Sequence, residues 1–310
     1  MSDPAVVKRL AAEFARRKPM RTTSLIVTLF GDVVSQHGGS IWLGSLVRAL
    51  APMGANERLV RTSVFRLVQE GWLEFERVGR RSYYRFSDYG SHEYERAAHR
   101  IYALDQEPWN GGWQLVIPLA VPDEKREQFR RSLHWQGFRP ISAGTFAKPG
   151  GSGRDLQETL DDFGLTDKVI LMEADTLPGT SADLVRDMVA ANWQLEEVAV
   201  RYRELLARFK PLAKWLGSNS GMSPESAFVA RTLLIHDCRR ILLQNTSIPT
   251  QLLPPRWPGS DAEKLTAGIY RRLAPASVEY ITTELEGDAG LMPAQALSFA
   301  QRFGIHAGDS

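Results

Sequence analysis

The sequence predicts an α+β protein of several domains, and three observations support that fold class. The chain has 310 residues, 43% of them hydrophobic, which is enough to bury more than one core. Near the N-terminus, three stretches with helical periodicity precede two short strand-like runs. Further along, strand and helix patterns alternate before a long helical region, so both kinds of element occur in separate parts of the chain.

Composition excludes several classes of protein. No apolar run reaches the roughly 20 residues that a membrane helix needs, and the N-terminus lacks the apolar core of a signal peptide. The single cysteine, Cys238, permits no internal disulfide, and the six histidines show no metal-ligand spacing. We therefore expect a cytoplasmic protein with no membrane association, no metal and no cofactor.

The net charge of +2 conceals an uneven distribution. Residues 1–90 contain 14 Lys and Arg against 8 Asp and Glu, whereas the rest contains 24 against 28. The basic end is where a polyanion would bind. An excess of this size is also common on proteins that bind no nucleic acid, so the charge needs support from the motifs.

Three helices are predicted in the basic end. The first spans residues 22–34, the second is a short one between Gly39 and Pro52, and the third runs from a cap at Asn56 to Gly71. The third helix buries an apolar face, and its opposite face carries side chains that can contact base edges or phosphates. The candidate DNA-binding residues of this helix are Asn56, Arg58, Arg61, Thr62 and Phe65.

A basic hairpin follows the third helix. Residues 73–86 form two strand-like runs around a turn at Gly79, and arginines occupy and flank that turn. Three helices followed by such a hairpin predict a winged helix-turn-helix that binds double-stranded DNA. The candidate DNA-binding residues of the hairpin are Arg77, Arg80, Arg81 and Arg85. The third helix and hairpin resemble those of GntR-type regulators, which implies operator contacts from Arg58, Arg61 and the Gly79 turn.

The first twenty residues are also basic. Their cationic side chains suit a DNA-contacting arm, and they suit equally a helix that packs on a partner subunit. They are Lys8, Arg9, Arg16, Arg17 and Lys18.

The rest of the chain divides into three further parts. Residues 91–112 are predicted as a linker helix after the DNA-binding domain of residues 1–90. Residues 113–176 show the order β-α-β-β-α-β, which predicts a ferredoxin-like domain. Residues 177–310 are predicted as a helical C-terminal domain for effector binding and dimerisation.

A second resemblance rests on residues of the C-terminal region. Ile235-His236-Asp237 with Arg239-Arg240, then Leu252-Leu253-Pro254 and Trp257-Pro258-Gly259, are similar to the PaaX family of repressors of phenylacetic acid degradation. The resemblance spans nearly the whole chain and implies a Cas2-like middle domain. It also implies a homodimer whose operator binding is relieved by phenylacetyl-coenzyme A.

An acyl-coenzyme A effector needs cations for its phosphates and an apolar slot for its acyl group. The candidate effector-binding residues are His236, Arg239, Arg240 and Trp257. The same residues could instead hold helices together through ion pairs and packing.

Two other functions are open. One is a DNA-binding protein that responds to no effector. The other is a metal-dependent nuclease like some Cas2 relatives, which would need carboxylates for a divalent cation. The first strand of the middle domain, residues 114–119, contains neither Asp nor Glu, so we predict a regulator without enzymatic activity.

Overall fold

The computed structural model describes residues 4–17, 22–102, 109–150, 154–219, 221–242, 248–294 and 302–303. Two compact units divide the chain. The first unit contains the described residues of Met1–Asp105, Arg203–Arg240 and Ser260–Ser310. The second unit contains those of Gln106–Tyr202 and Ile241–Gly259. These units combine segments that are distant in sequence, and the four-part domain division made from the sequence stays a prediction.

The N-terminal elements of the first unit follow the predicted order of helices and strands. They are α1 (Ala5–Ala15), α2 (Thr22–Asp32), β1 (Ser40–Trp42), α3 (Leu43–Leu50), α4 (Glu57–Gln69), β2 (Leu73–Val78), β3 (Arg81–Phe86) and α5 (Asp88–Ile101). The strand β1 is additional to the sequence prediction, whereas α1 lies in the basic N-terminal segment, for which a helix is one of the two alternatives that the sequence leaves open. β1, β3 and β2 form an antiparallel sheet in that order.

The start of α4 is fixed by a turn and a cap. Gly54 ends a short 3-10 segment with a φ of +87°, a conformation that favours glycine. The Asn56 side chain then accepts a hydrogen bond of 2.9 Å from the backbone N–H of Leu59. The buried inner face of α4 is formed by Val60, Val64 and Leu67.

The helix α5 belongs to the core of the first unit. Tyr94 and Ile101 are buried, and the Tyr94 ring lies directly against Gly31 of α2. The segment predicted as a linker therefore begins with a helix, α5, that packs on α2. The close approach of Tyr94 is possible because Gly31 has no side chain.

The C-terminal part of the first unit includes most of α10 (Pro224–Leu242), most of α11 (Pro258–Glu284) and a small hairpin of β8 (Glu286–Gly287) and β9 (Gly290–Leu291). The middle of α10 is buried all round rather than on one face, since Arg231, Thr232 and His236 are as inaccessible as Leu234. The buried charged residues of α10 therefore meet side chains from the N-terminal helices.

The N-terminal basic residues include one that is tied to α10. α1 buries Val7, Leu10 and Phe14. Arg17 donates hydrogen bonds of 2.5 and 2.8 Å to the two carboxylate oxygens of Asp237. Arg17 is thus held within its own chain, and Lys18 lies outside the described residues.

The second unit is built on a four-stranded antiparallel sheet of order β5-β6-β4-β7. Its elements are β4 (Gly112–Pro118), α6 (Asp123–Trp135), β5 (Arg139–Ser142), β6 (Thr145–Pro149), α7 (Arg154–Phe163), β7 (Val169–Asp175) and α8 (Ala182–Asn192). One hydrophobic cluster joins Val116 and Val169 of the sheet to α6 and α7. A second joins Trp113 and Ala147 to Val189 of α8. The long helix α9 (Leu195–Ser218) follows α8; its residues up to Tyr202 belong to this unit, and those from Arg203 belong to the first.

None of the described helices has an apolar stretch sufficient to cross a bilayer.

Candidate nucleic-acid interface

The outward face of α4 carries the residues expected to read DNA. Arg58, Arg61, Thr62 and Phe65 are exposed, and Phe65 keeps 66% of its surface accessible. An exposed phenylalanine among arginines on a helix whose other face is core suits contact with base edges, such as a thymine methyl group. The burial of the inner face fixes which side chains of α4 point outward.

The two candidate DNA-binding arginines of α4 differ in their partners. Arg61 forms an ion pair of 2.8 Å with Glu57, one turn earlier on the helix. Arg58 pairs with no other described residue, and its backbone oxygen accepts a hydrogen bond of 2.9 Å from the Thr62 hydroxyl. A phosphate or guanine edge would therefore reach Arg58 without competition, whereas Arg61 must first leave Glu57.

The register of the hairpin separates its side chains into two faces. Phe75 lies opposite Tyr84, with ring centroids 5.6 Å apart, on the same face as Arg77. Burial, the larger effect, raises the pKa of Tyr84, while the positive charge of Arg61 acts to lower it. Tyr84 therefore lies close enough to Arg61 of α4 to feel its charge. The sequence analysis did not include Tyr84 among the candidate residues. The alternation of side chains along β3, combined with the strand register, is the signal that identifies it.

The other face of the hairpin holds two predicted DNA-binding arginines that already have acidic partners. Arg85 lies between Glu74 at 3.4 Å and Glu76 at 3.0 Å. Arg81 forms an ion pair of 2.6 Å with Glu286 of β8, and its guanidinium lies 4.3 Å from the centroid of a Trp42 ring. These cations would have to exchange carboxylates for phosphates.

Two arginines near the turn are less engaged. Arg77 donates a hydrogen bond of 3.3 Å to the backbone oxygen of Gly79. Arg80 is exposed and makes no ion pair within the described part of the chain. Gly79 itself has a φ of +60°, which the tight turn between β2 and β3 requires. Arg80 is thus the cation of the hairpin that is ready to meet a phosphate.

The residues predicted to bind an effector divide between the two units. His236 is 1% exposed, its Nδ1 lies 3.1 Å from the Thr28 hydroxyl, and burial lowers its pKa to about 3, so the ring is neutral. Arg239 is also buried in the first unit, and Arg240 is half-buried there. Trp257 lies in the second unit, with its ring edge against Tyr202. The structure thus gathers three of the four residues on α10 and places the fourth in another unit.

A buried ion cluster joins α2 to the C-terminal segments of the first unit. Asp32 accepts hydrogen bonds from Arg231 at 2.9 Å and from the hydroxyls of Tyr102 at 2.7 Å and Tyr270 at 2.9 Å. Arg302 adds an ion pair of 3.1 Å to the same carboxylate. Four partners around one carboxylate satisfy its lone pairs, as a charge so deeply buried requires.

A cavity of about 440 Å³ borders the turn that precedes α4. Its wall includes Ala11 and Ala15 of α1, Pro52 and Gly54 of the turn, and Val229 of α10. None of the four residues predicted to bind an effector lines it. A ligand in this cavity would touch the turn that directs α4.

Among the described residues, no group of three or more His, Cys, Asp or Glu side chains is arranged to hold a metal ion.

Comparisons with known proteins cover nearly the whole chain. Three family models match: "PaaX-like protein" over residues 21–90, "PaaX protein central Cas2-like domain" over 106–185, and "PaaX-like protein C-terminal domain" over 193–283. The chain is 38% identical over 287 residues to the transcriptional repressor PaaX of Escherichia coli strain K12, covering 92% of this chain and 91% of that protein.

A solved structure shares the fold. It is the uncharacterized protein Rv0674 from Mycobacterium tuberculosis, with a TM-score of 0.52 and 20% sequence identity over 81% of this chain and 94% of that one.

Proposed function

This chain belongs to the PaaX family, and we infer that it is a transcriptional repressor that binds operator DNA through a winged helix-turn-helix. The observation that carries the proposal is the exposed face of α4, where Arg58, Arg61 and Phe65 project from a helix whose opposite face is buried. The element order α2-β1-α3-α4-β2-β3 supports the winged-helix assignment. In the second unit, the strand order β5-β6-β4-β7 supports the ferredoxin-like, Cas2-like assignment.

The protein acts in the cytoplasm as a homodimer in this proposal. Two copies of α4 enter successive major grooves of an inverted repeat, whose half-sites are about 34 Å apart, one turn of DNA. Arg58 and Arg61 read base edges, while Arg80 and Arg77 of the hairpin contact phosphates. Thr62 and Asn56 complete the surface, with Asn56 acting mainly through the cap that orients α4.

The repressed genes encode a catabolic pathway for an aromatic acid, phenylacetate, and the signal is its coenzyme A thioester. Binding of the thioester releases the operator only if it favours a conformation that binds DNA poorly. The buried cluster around Asp32 supports such coupling, because it fixes α2 to α10 and α11. His236, Arg239 and Arg240 on α10, with Trp257 as a further candidate, are the residues proposed to sense the ligand.

Fluorescence anisotropy tests this function. The full-length protein is titrated onto its own promoter DNA and onto a scrambled duplex of equal length, with and without phenylacetyl-coenzyme A. We expect tight binding to the promoter that the thioester reverses. Binding that is specific but unaffected by the thioester would favour an effector-independent regulator. Equal affinity for both duplexes would contradict the repressor function.

A further inference from the structure

One buried arginine of the first unit has no carboxylate partner. Arg239 of α10 is 8% exposed, yet within the described ranges its guanidinium makes a single long hydrogen bond, 3.4 Å from Nη1 to the Ser24 hydroxyl. Its Nε has no hydrogen-bond partner. Arg231, two turns earlier on the same helix, is buried even more completely but is neutralised by Asp32. A buried charge without a counterion is costly, so Arg239 calls for an explanation.

The nearby acidic residue is already committed to other cations. Asp237 forms ion pairs with Arg17 at 2.5 Å and with Arg208. Burial lowers the pKa of Arg239, and the positive charge of Arg239 in turn adds to the burial that keeps His236 neutral. Asp237 is therefore taken up by Arg17 and Arg208, and Arg239 has no carboxylate partner among the described residues.

The guanidinium of Arg239 points at the N-terminus of α2. Ser24, its hydrogen-bond partner, lies in the first turn of this eleven-residue helix. The hydroxyl oxygen of Thr22, the first residue of α2, is buried and has no hydrogen-bond partner among the described residues. The first backbone N–H groups of a helix have no acceptor within it, and the helix dipole favours negative charge at this end.

We propose that Arg239, Ser24 and the N-terminus of α2 form a binding site for an oxyanion, either a phosphate or a carboxylate group of a small molecule. A guanidinium, a hydroxyl and backbone N–H groups are the donors with which proteins bind such groups. The inference rests on the proposed function in one respect, that the anion is the polar end of the effector. Since α2 packs against α4, an anion bound there acts on the helix that carries Arg58 and Arg61.

Thermal unfolding of the full chain tests the site, because a ligand that binds only the folded state raises Tm. The probe is inorganic phosphate, compared with sodium chloride at equal ionic strength. We expect phosphate to raise the Tm of the wild-type protein. Arg239→Gln keeps a donor for Ser24 but removes the charge, so we expect the half-saturating phosphate concentration to rise about tenfold or more.

The matched control is Arg271→Gln, which removes an exposed arginine from α11 of the same unit. This variant should respond to phosphate as the wild type does. If Arg239→Gln does not fold, Ser24→Ala is used in its place, and we expect the same weakening of phosphate binding. A wild-type Tm that both phosphate and phenylacetate leave unchanged, or an equal response from the altered site and the control, would overturn the site.

Two further ligands identify the source of the oxyanion. If phosphate and coenzyme A raise Tm but phenylacetate does not, the site binds a phosphate group. If phenylacetate raises Tm but phosphate and coenzyme A do not, the site binds a carboxylate. Operator binding without ligand is measured on the same preparations. Phosphate binding through Arg239 without a preference for operator DNA would support the anion site and contradict the repressor function. Failure of the anion site can therefore be distinguished from failure of the proposed function.

Discussion

Arg231 of α10 donates a hydrogen bond of 2.9 Å to the carboxylate of Asp32 at the end of α2, and neither side chain is more than 1% exposed. The two residues are 199 positions apart in the chain. Their ion pair makes the helices around the DNA-reading segment and the C-terminal helices parts of one compact unit. A change at either end of this pair therefore bears on both stability and DNA binding.

We expect Asp32→Asn to destabilise the protein by about 3–5 kcal/mol, because it leaves Arg231 and Arg302 buried without a counterion. Urea unfolding followed by circular dichroism measures the change. Asp288→Asn, at an exposed position between β8 and β9, is the control and should stay within about 0.5 kcal/mol of the wild type. Similar midpoints for both variants would contradict a role for the buried cluster in stability.

The pair of Asp237 with Arg17 and Arg208 predicts a loss of stability in acid. Burial alone would raise the pKa of Asp237, but the two arginines outweigh it and lower the pKa below 3.8. The stabilisation is therefore present above pH 3.8 and is lost as the pH falls toward the lower pKa of the folded state. Urea midpoints between pH 2.5 and 6 should fall less steeply for Asp237→Asn than for the wild type, and parallel curves would refute this assignment.

Gly31 of α2 has a steric role. A Cβ atom there would lie 1.8 Å from the Tyr94 ring, so we expect Gly31→Ala to cost about 1–3 kcal/mol through overpacking. Gly268 of α11 has no atom within 4 Å of such a Cβ. Gly268→Ala should therefore be neutral or stabilising by up to about 1 kcal/mol. Thermal unfolding of the two variants compares them, and equal effects would contradict the contact.

The arginines of α4 and those of the hairpin should contribute unequally to DNA binding. We expect Arg58→Ala and Arg61→Ala each to weaken operator binding by about 1–3 kcal/mol and to reduce specificity. Arg80→Ala should weaken binding to all sequences and lower the salt slope by about one. Arg85→Ala should change the affinity and the salt slope little, since Glu74 and Glu76 already hold this side chain. Anisotropy titrations over a range of salt concentrations distinguish these outcomes, and an Arg85→Ala variant as weak as Arg80→Ala would show that the pairing does not restrain Arg85.

Glu286 should restrain Arg81 from binding phosphate. Glu286→Gln removes the charge that holds Arg81 at 2.6 Å, so we expect tighter binding to any duplex with a steeper salt dependence. The control is Glu74→Gln, after which Arg85 still has Glu76. Weaker or unchanged binding by Glu286→Gln would indicate that the contact positions the hairpin instead.

The sequence predicted much of the local structure. Apolar periodicity located α2, α3, α4, β2 and β3, and the face of α4 that carries Arg58 and Arg61 followed from the helical repeat. The order β-α-β-β-α-β of the middle region is present in β4 to β7 with α6 and α7. The residues around His236 and Trp257 carried the family resemblance, which the comparisons confirm. These features depend on neighbouring residues, which is why the sequence alone determined them.

Only the tertiary structure decided which distant residues meet. Strand register places Arg81 and Arg85 on the hairpin face opposite Tyr84, and register depends on pairing between strands as well as on local pattern. The burial of Arg239 and its approach to Ser24 follow from the packing of α10 on α2. The pair of Asp32 with Arg231 likewise joins residues 199 positions apart. Periodicity reports which face of an element is apolar, but it contains no information about which other element covers that face.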